Sequence, residues 1–424
     1  MNKYQYIIGR INYISFLVVV FLLPFPQIAL RYACVFWIAT WLFEGRWLKV
    51  SHIKEQITNS KFILPFILFA LWYAWRLLSG LWAADHEAWS LQMERYITFG
   101  ALVPVGLWGL NEHYNWRQIG KVLVGSCLIA VFFYPAFLTL LLYHREIIDN
   151  HPCLHALWDY STSEWLHFFT TNLSHLKQRM SLCCIELMGA IIAFSVYRDR
   201  WRILLPIELL LLSFVAMSGS RQAMLISICL SVCMVLILLP KVYRRLYGAV
   251  IITAGILIGG VLLVMHPRMQ RTYWENPETL LEIDETHDPR TNIWLLALES
   301  PQAYTAYGLG AGQSFNYLIS KYEAHHLDYY VQARYHCHNQ YLEEWIELGI
   351  GGLLLFLIAW CSIIICAHGE GRQTAWLFCL MMMMAMLTEC IFAVFCRVAL
   401  WAISLIFIYL QSNRQIQHQT ARCA

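Results

Sequence analysis

His338 stands directly before a long apolar run, in the segment His336-Cys337-His338-Asn339-Gln340-Tyr341 that leads on to Glu343, Glu344, Glu347 and Gly349. An imidazole at the mouth of such a helix is an ionisable group at a membrane–water boundary. Its ordinary pKa lies near 6.5, and nearby guanidinium charge would lower it, keeping the ring in the neutral form that a general base requires. Arg221, in Ser218-Gly219-Ser220-Arg221-Gln222, is wedged between two apolar runs, and Arg290 follows Asp288-Pro289. Cations in such places are costly and tend to face a cavity or a partner. Arg179, close to Lys177, opens another apolar run. A base candidate with fixed positive charge at one membrane face suits chemistry on a lipid-borne anion.

Each of these residues also has a plainer reading. Arg221 is either a snorkelling arginine against lipid headgroups or a fixed guanidinium for phosphate; Gly219 and the two serines favour the second by allowing close approach and adding hydroxyl donors. Arg290 reads equally as a solvated helix residue, and Lys177 and Arg179 as headgroup anchors. Glu343, Glu344 and Glu347 occupy the first two turns of their helix, where acidic groups suit the helix dipole; they either pair with the arginines or cap the helix. Glu389 and Arg397 bracket a turn between the last two apolar runs, as an interhelical pair or as part of a cavity wall. The competing constellation is acidic: Glu282, Asp284, Glu285, His287 and Asp288. Its spacing matches no standard metal site, and no Asp-x-Asp or His-Glu-x-x-His occurs, so a solvated loop face is the better reading.

The elements that must position these groups follow from composition. Of 424 residues, 59% are hydrophobic and 13% charged, where a soluble domain is nearer half apolar and a quarter charged. The chain therefore reads as an all-α polytopic membrane protein, one integral membrane domain over 1–424. A membrane-crossing helix needs about 20 mostly apolar residues. About twelve stretches qualify, near 11–25, 27–43, 62–82, 91–109, 120–142, 178–197, 203–218, 222–239, 248–265, 341–366, 375–392 and 397–411. They are continuously apolar, not alternating, which excludes a β-barrel. The 18 tryptophans and 23 tyrosines fit interfacial belts.

Short basic connections such as Tyr197-Arg198-Asp199-Arg200-Trp201-Arg202 and Lys241-Val242-Tyr243-Arg244-Arg245 mark the cytoplasmic side, with both termini there. Two large loops, 143–177 and 266–340, then face outward, the second between spans nine and ten and carrying the candidate site. Within it a helix is predicted over Arg290–Leu298, with Asp288-Pro289 as cap and first turn. Gly308, Gly310 and Gly312 permit a tight turn after it. Cys153 and Cys337 fall in these loops, as one disulfide or two free thiols; most other cysteines lie in apolar runs as small hydrophobes.

Three motifs, in order, resemble the O-antigen ligase and polymerase superfamily of bacterial membrane glycosyltransferases. They are Ser220-Arg221 at a span boundary; the Arg290…Trp294 helix leading to Gly308-Leu309-Gly310-Ala311-Gly312; and His338-Asn339…Leu342…Glu347-Leu348-Gly349…Gly352 entering the next span. The likeness is densest over 203–366. It implies an O-antigen ligase of the bacterial inner membrane with a periplasmic site. Glycan would pass from undecaprenyl diphosphate to a lipid A–core sugar, or to another carrier-linked glycan in a polymerase. It further implies inverting transfer without metal or other cofactor, among membrane lipids, and with no nucleic-acid partner. In that frame His338 is the base, preferred to His336 because Asn339 and the following helix align with it. Arg221 and Arg290 hold the diphosphate, Arg179 is the candidate third, and Asn339, Ser220, Trp294 and Glu347 are candidates for support. The rival class is a polytopic transporter or flippase, which should show paired halves with interrupted helices; the sequence shows no such pairing.

Overall fold

A computed structural model describes residues 3–45, 62–108, 110, 113–149, 178–265, 289–300 and 305–423. Among these residues the chain is helical with no strand, as backbone in a bilayer must be when no water is at hand to satisfy its polar groups. The helices are α1 (Lys3–Leu22), α2 (Gln27–Glu44), α3 (Ile63–Leu78), α4 (His86–Trp108), α5 (Trp116–Asp149), α6 (Arg179–Tyr197), α7 (Trp201–Met217), α8 (Arg221–Leu238) and α9 (Lys241–Met265). Three short helices follow, α10 (Pro289–Leu298), α11 (Gln313–Ala324) and α12 (Asp328–Ala333). The chain then closes with α13 (Gln340–Cys366), α14 (Gly369–Met386) and α15 (Phe395–Cys423).

Each of the twelve apolar stretches falls on a helix. Among the described residues seven helices are long and apolar enough to cross a bilayer: α1, α3, α5, α6, α8, α13 and α15. In α6 and α15, 83% and 89% of the apolar window is buried, which puts these two at the centre of the bundle. α6 packs against α5, α7 and α14, and α15 against α14 and α4. α5 runs on to Asp149, and 151–177, with Cys153, lies outside the described residues, as does the acidic cluster Glu282–Asp288.

The segment read as a large loop contains α10, over residues where the sequence predicts a helix, and then α11 and α12. These three build a small core of their own, in which Ile293, Leu296, Leu318, Tyr322 and Tyr330 meet Ile346 of α13 and Cys390. They are tied to the bundle through a break in α13. Gly349 has φ 66° and ψ −169°, so α13 is two helices in succession. Segment 305–310 fills the gap. Ile350 and Gly351 donate their backbone N–H groups to Thr305 O (2.9 Å) and Ala306 O (3.1 Å), while Leu309 and Gly310 donate to Ile346 O (2.9 Å) and Glu347 O (2.8 Å). The groups orphaned by the break are satisfied on both sides. The glycine motif is thus more than a turn: a Cβ on Gly308 would lie 2.4 Å from the Gly349 nitrogen.

A second tie is ionic. Arg76 of α3, fully buried, reaches Glu344 (2.7 Å) and Glu347 (2.8 Å) of α13. Trp72 Nε1 and Gln340 Nε2 also donate to Glu344, Ser314 Oγ of α11 donates to Glu347, and the Arg76 guanidinium lies over the Tyr96 ring at 4.3 Å. The acidic residues at the head of α13 therefore pair with an arginine of a neighbouring span.

Candidate active site

Three of the predicted arginines meet. Arg179, Arg221 and Arg290, with Gln178, Gly219, Ser220, Gln222 and Glu389, line one cavity of about 320 Å³. Each comes from the first turn of a different helix: α6 begins at Arg179, α8 at Arg221 and α10 at Pro289. Helix N-termini carry partial positive charge and outward-facing N–H groups, so the cavity wall is electropositive twice over.

Local sequence explains how Arg221 reaches this place. Gly219, at φ 67°, turns the chain sharply between α7 and α8. Ser220 then caps α8, its side chain accepting from Ala223 N at 3.3 Å. Gln222 pins the helix start to the end of α14 by donating to Met384 O (2.7 Å) and Ala385 O (2.9 Å). Ser220 thus fixes the start of α8 at the cavity's edge.

Glu389 is the acidic member of the wall. It lies between Arg290 (3.9 Å) and Arg397 (3.6 Å). Arg397 is completely buried, its Nε donating to Ser181 Oγ at 2.8 Å. The two readings of Glu389 and Arg397 both hold: they pair, and Glu389 also forms cavity wall. Their signal in the sequence is two opposite charges eight residues apart in otherwise apolar surroundings.

His338 does not line the cavity itself. It sits in the link between α12 and α13, in a left-handed backbone conformation (φ 48°). Asn339 follows as N-cap of α13, accepting from Tyr341 N (3.0 Å) and Leu342 N (3.1 Å). Trp294 of α10 holds the link from the other side, its Nε1 donating to Cys337 O at 3.2 Å. The His336 and His338 rings stack, with centroids 3.8 Å apart and planes at 27°. Burial, then the charges of His336, Arg290 and Arg397, hold the His338 imidazole far below its ordinary range, at about 3. Burial likewise lowers His336, with Glu389 opposing and Arg397, Arg290 and Arg95 adding to it. His338 is therefore neutral at pH 7 and within electrostatic range of the cavity's Arg290.

Glu347 does not line the cavity; it belongs to the Arg76–Ser314 network that seats α13. Cys337 is a free, buried thiol. What residue types and spacing did not reveal is Arg76 as the partner of Glu344 and Glu347, which lie 268 and 271 residues further along the chain. Among the described residues no group of three or more His, Cys, Asp or Glu side chains is placed to hold a metal ion.

Residues 206–357 match a family model described as O-antigen ligase. That interval contains Arg221, Arg290, Trp294, His338, Asn339 and Glu347, and leaves Arg179, Glu389 and Arg397 outside it. Among curated proteins none matches the chain.

Proposed function

We propose that the chain, which matches the O-antigen ligase family model over residues 206–357, is an O-antigen ligase moving glycan from undecaprenyl diphosphate to a lipid A–core sugar. One observation carries the reading: three arginines from three helix N-termini converge on one cavity, with a neutral imidazole within electrostatic range of one of them, Arg290.

The leaving group is a diphosphate, so its departure concentrates negative charge beside the membrane. Arg179, Arg221 and Arg290 would neutralise it, since a guanidinium stays charged and can take two phosphate oxygens at once. The cations stand in place before the reaction begins, so little reorganisation is needed as charge develops. His338 would accept the acceptor hydroxyl's proton as that oxygen attacks the anomeric carbon. The bond from that carbon to the diphosphate oxygen breaks, its electron pair leaving with the diphosphate. Attack opposite the leaving group gives inversion. The activated donor supplies the driving energy, and the proposed setting is the periplasmic face of a bacterial inner membrane with both termini cytoplasmic.

The test is genetic and biochemical together. Cells lacking the gene should keep carrier-linked long glycans and show lipopolysaccharide with a bare core. A core bearing one repeat would instead mark a polymerase, and an unaltered pattern would overturn both. Purified His338→Ala protein should bind the lipid donor and transfer at a rate lower by roughly 10²–10⁴-fold, the usual worth of a general base.

A further inference from the structure

We propose that His336 is a positioning residue for His338, holding the proton-accepting ring in a single orientation by stacking against it and by fixing the backbone that carries it. The inference rests on the reading of His338 as the base. Its own ground is geometric.

The two rings lie 3.8 Å apart at 27°, and the His338 backbone N–H is directed at His336 Nδ1 at 3.2 Å. A backbone N–H is always a donor, so Nδ1 of His336 must be the bare nitrogen, and the neutral ring carries its proton on Nε2. That bond closes a small ring across Cys337 onto the nitrogen of His338, which adopts φ 48°, a conformation side-chain-bearing residues avoid unless their surroundings impose it. The usual way to orient a catalytic imidazole is a carboxylate or carbonyl on its second nitrogen. Nδ1 of His338 is buried and has no such partner among the described residues. The stacked ring and the edge of Tyr335, with its centroid 6.2 Å away, are the contacts that set the ring's plane.

The pair also has an electrostatic consequence. Charge reaches His338 from His336 in its own link, Arg290 of α10 and Arg397 of α15; His336 in turn meets Glu389, Arg397, Arg290 and Arg95 of α4. Two imidazoles this close resist carrying charge together. A proton taken up by His336 would oppose protonation of His338, but it would land on Nδ1 and end the hydrogen bond from the His338 backbone, so His336 positions its neighbour only in the neutral form.

The test uses the full-length protein in lipid nanodiscs, with the lipid donor and acceptor, and measures kcat and KM from about pH 3, where His338 takes up its proton, through the ordinary imidazole range to about pH 8. His336→Phe keeps a stacking face and loses the acceptor; His336→Asn keeps an acceptor near the Nδ1 position and loses the ring. His336→Phe is expected to lower kcat by about tenfold or more, as the loss of a buried hydrogen-bond partner would, with donor KM unchanged. In both variants the acid limb of kcat should move to higher pH, because the opposing charge is gone. Asn should retain more activity than Phe. Wild-type kcat and pH profile in His336→Phe, with His338→Ala inactive, would overturn the inference and leave the base assignment standing. So would a fall in kcat with an unmoved acid limb, which marks mere packing. An active His338→Ala would overturn the base assignment itself.

Discussion

Arg179, Arg221 and Arg290 each stand at the end of a helix where the peptide dipoles already carry partial positive charge. Three cations held against that local field work against helix stability, and Glu389 in the same wall, 3.9 Å from Arg290, offsets part of their charge. Replacing Arg221 by alanine is expected to lower kcat in the purified enzyme by about 10²–10³-fold, the usual worth of one fixed donor to developing charge. Lysine there should restore part of it, since an ammonium keeps the charge without the two-pronged geometry. Full activity in the alanine variant would remove Arg221 from the site. These arginines were recognisable in the sequence because cations are rare beside apolar runs. Glu389 was harder to assign, since its partners Arg290 and Arg397 come from distant parts of the chain.

At the scale of elements, the decisive feature is the broken helix α13 and the glycine segment that fills it. Gly308 and Gly349 both take positive φ, and each lies where a Cβ would strike the other's backbone or that of its neighbours. Gly308→Ala should therefore destabilise the protein by more than the roughly 1–2 kcal/mol of a left-handed backbone alone. Gly45→Ala is the matching control, at φ 68° with nothing within 4 Å of a Cβ. Thermal unfolding in nanodiscs should show a clearly larger loss for Gly308→Ala, and equal losses would refute the docking argument. The sequence announced a turn at Gly308, Gly310 and Gly312. That the turn docks into a helix was not legible, because a single glycine at 349 looks like an ordinary helical glycine until its partner strand of backbone is known.

For the molecule as a whole, the question is what fastens the α10–α12 layer to the bundle so that His338 and the arginines keep their spacing. The buried Arg76–Glu344–Glu347 group does this, joining α3, α13 and, through Ser314, α11. Removing one member strands buried charge. Arg76→Met is expected to cost about 3–5 kcal/mol, and Arg76→Met combined with Glu344→Gln less than the sum of the two single changes. Unfolding midpoints of the three variants would decide; strict additivity would mean the residues do not act together.

The sequence by itself determined the helical class of this membrane protein, the positions of its apolar helices and the cations that stand out beside them. Those properties are local: a run of twenty apolar residues must be a helix in lipid wherever it packs, and a cation beside it is conspicuous by cost alone. Only the tertiary structure decided which charges share a cavity and which are spent on structure. Arg76 and Arg397 are both fully buried, yet one fastens helices through Glu344 and Glu347 while the other reaches the cavity wall through Glu389. Electrostatic partnership depends on distance in space, and distance along the chain does not encode it.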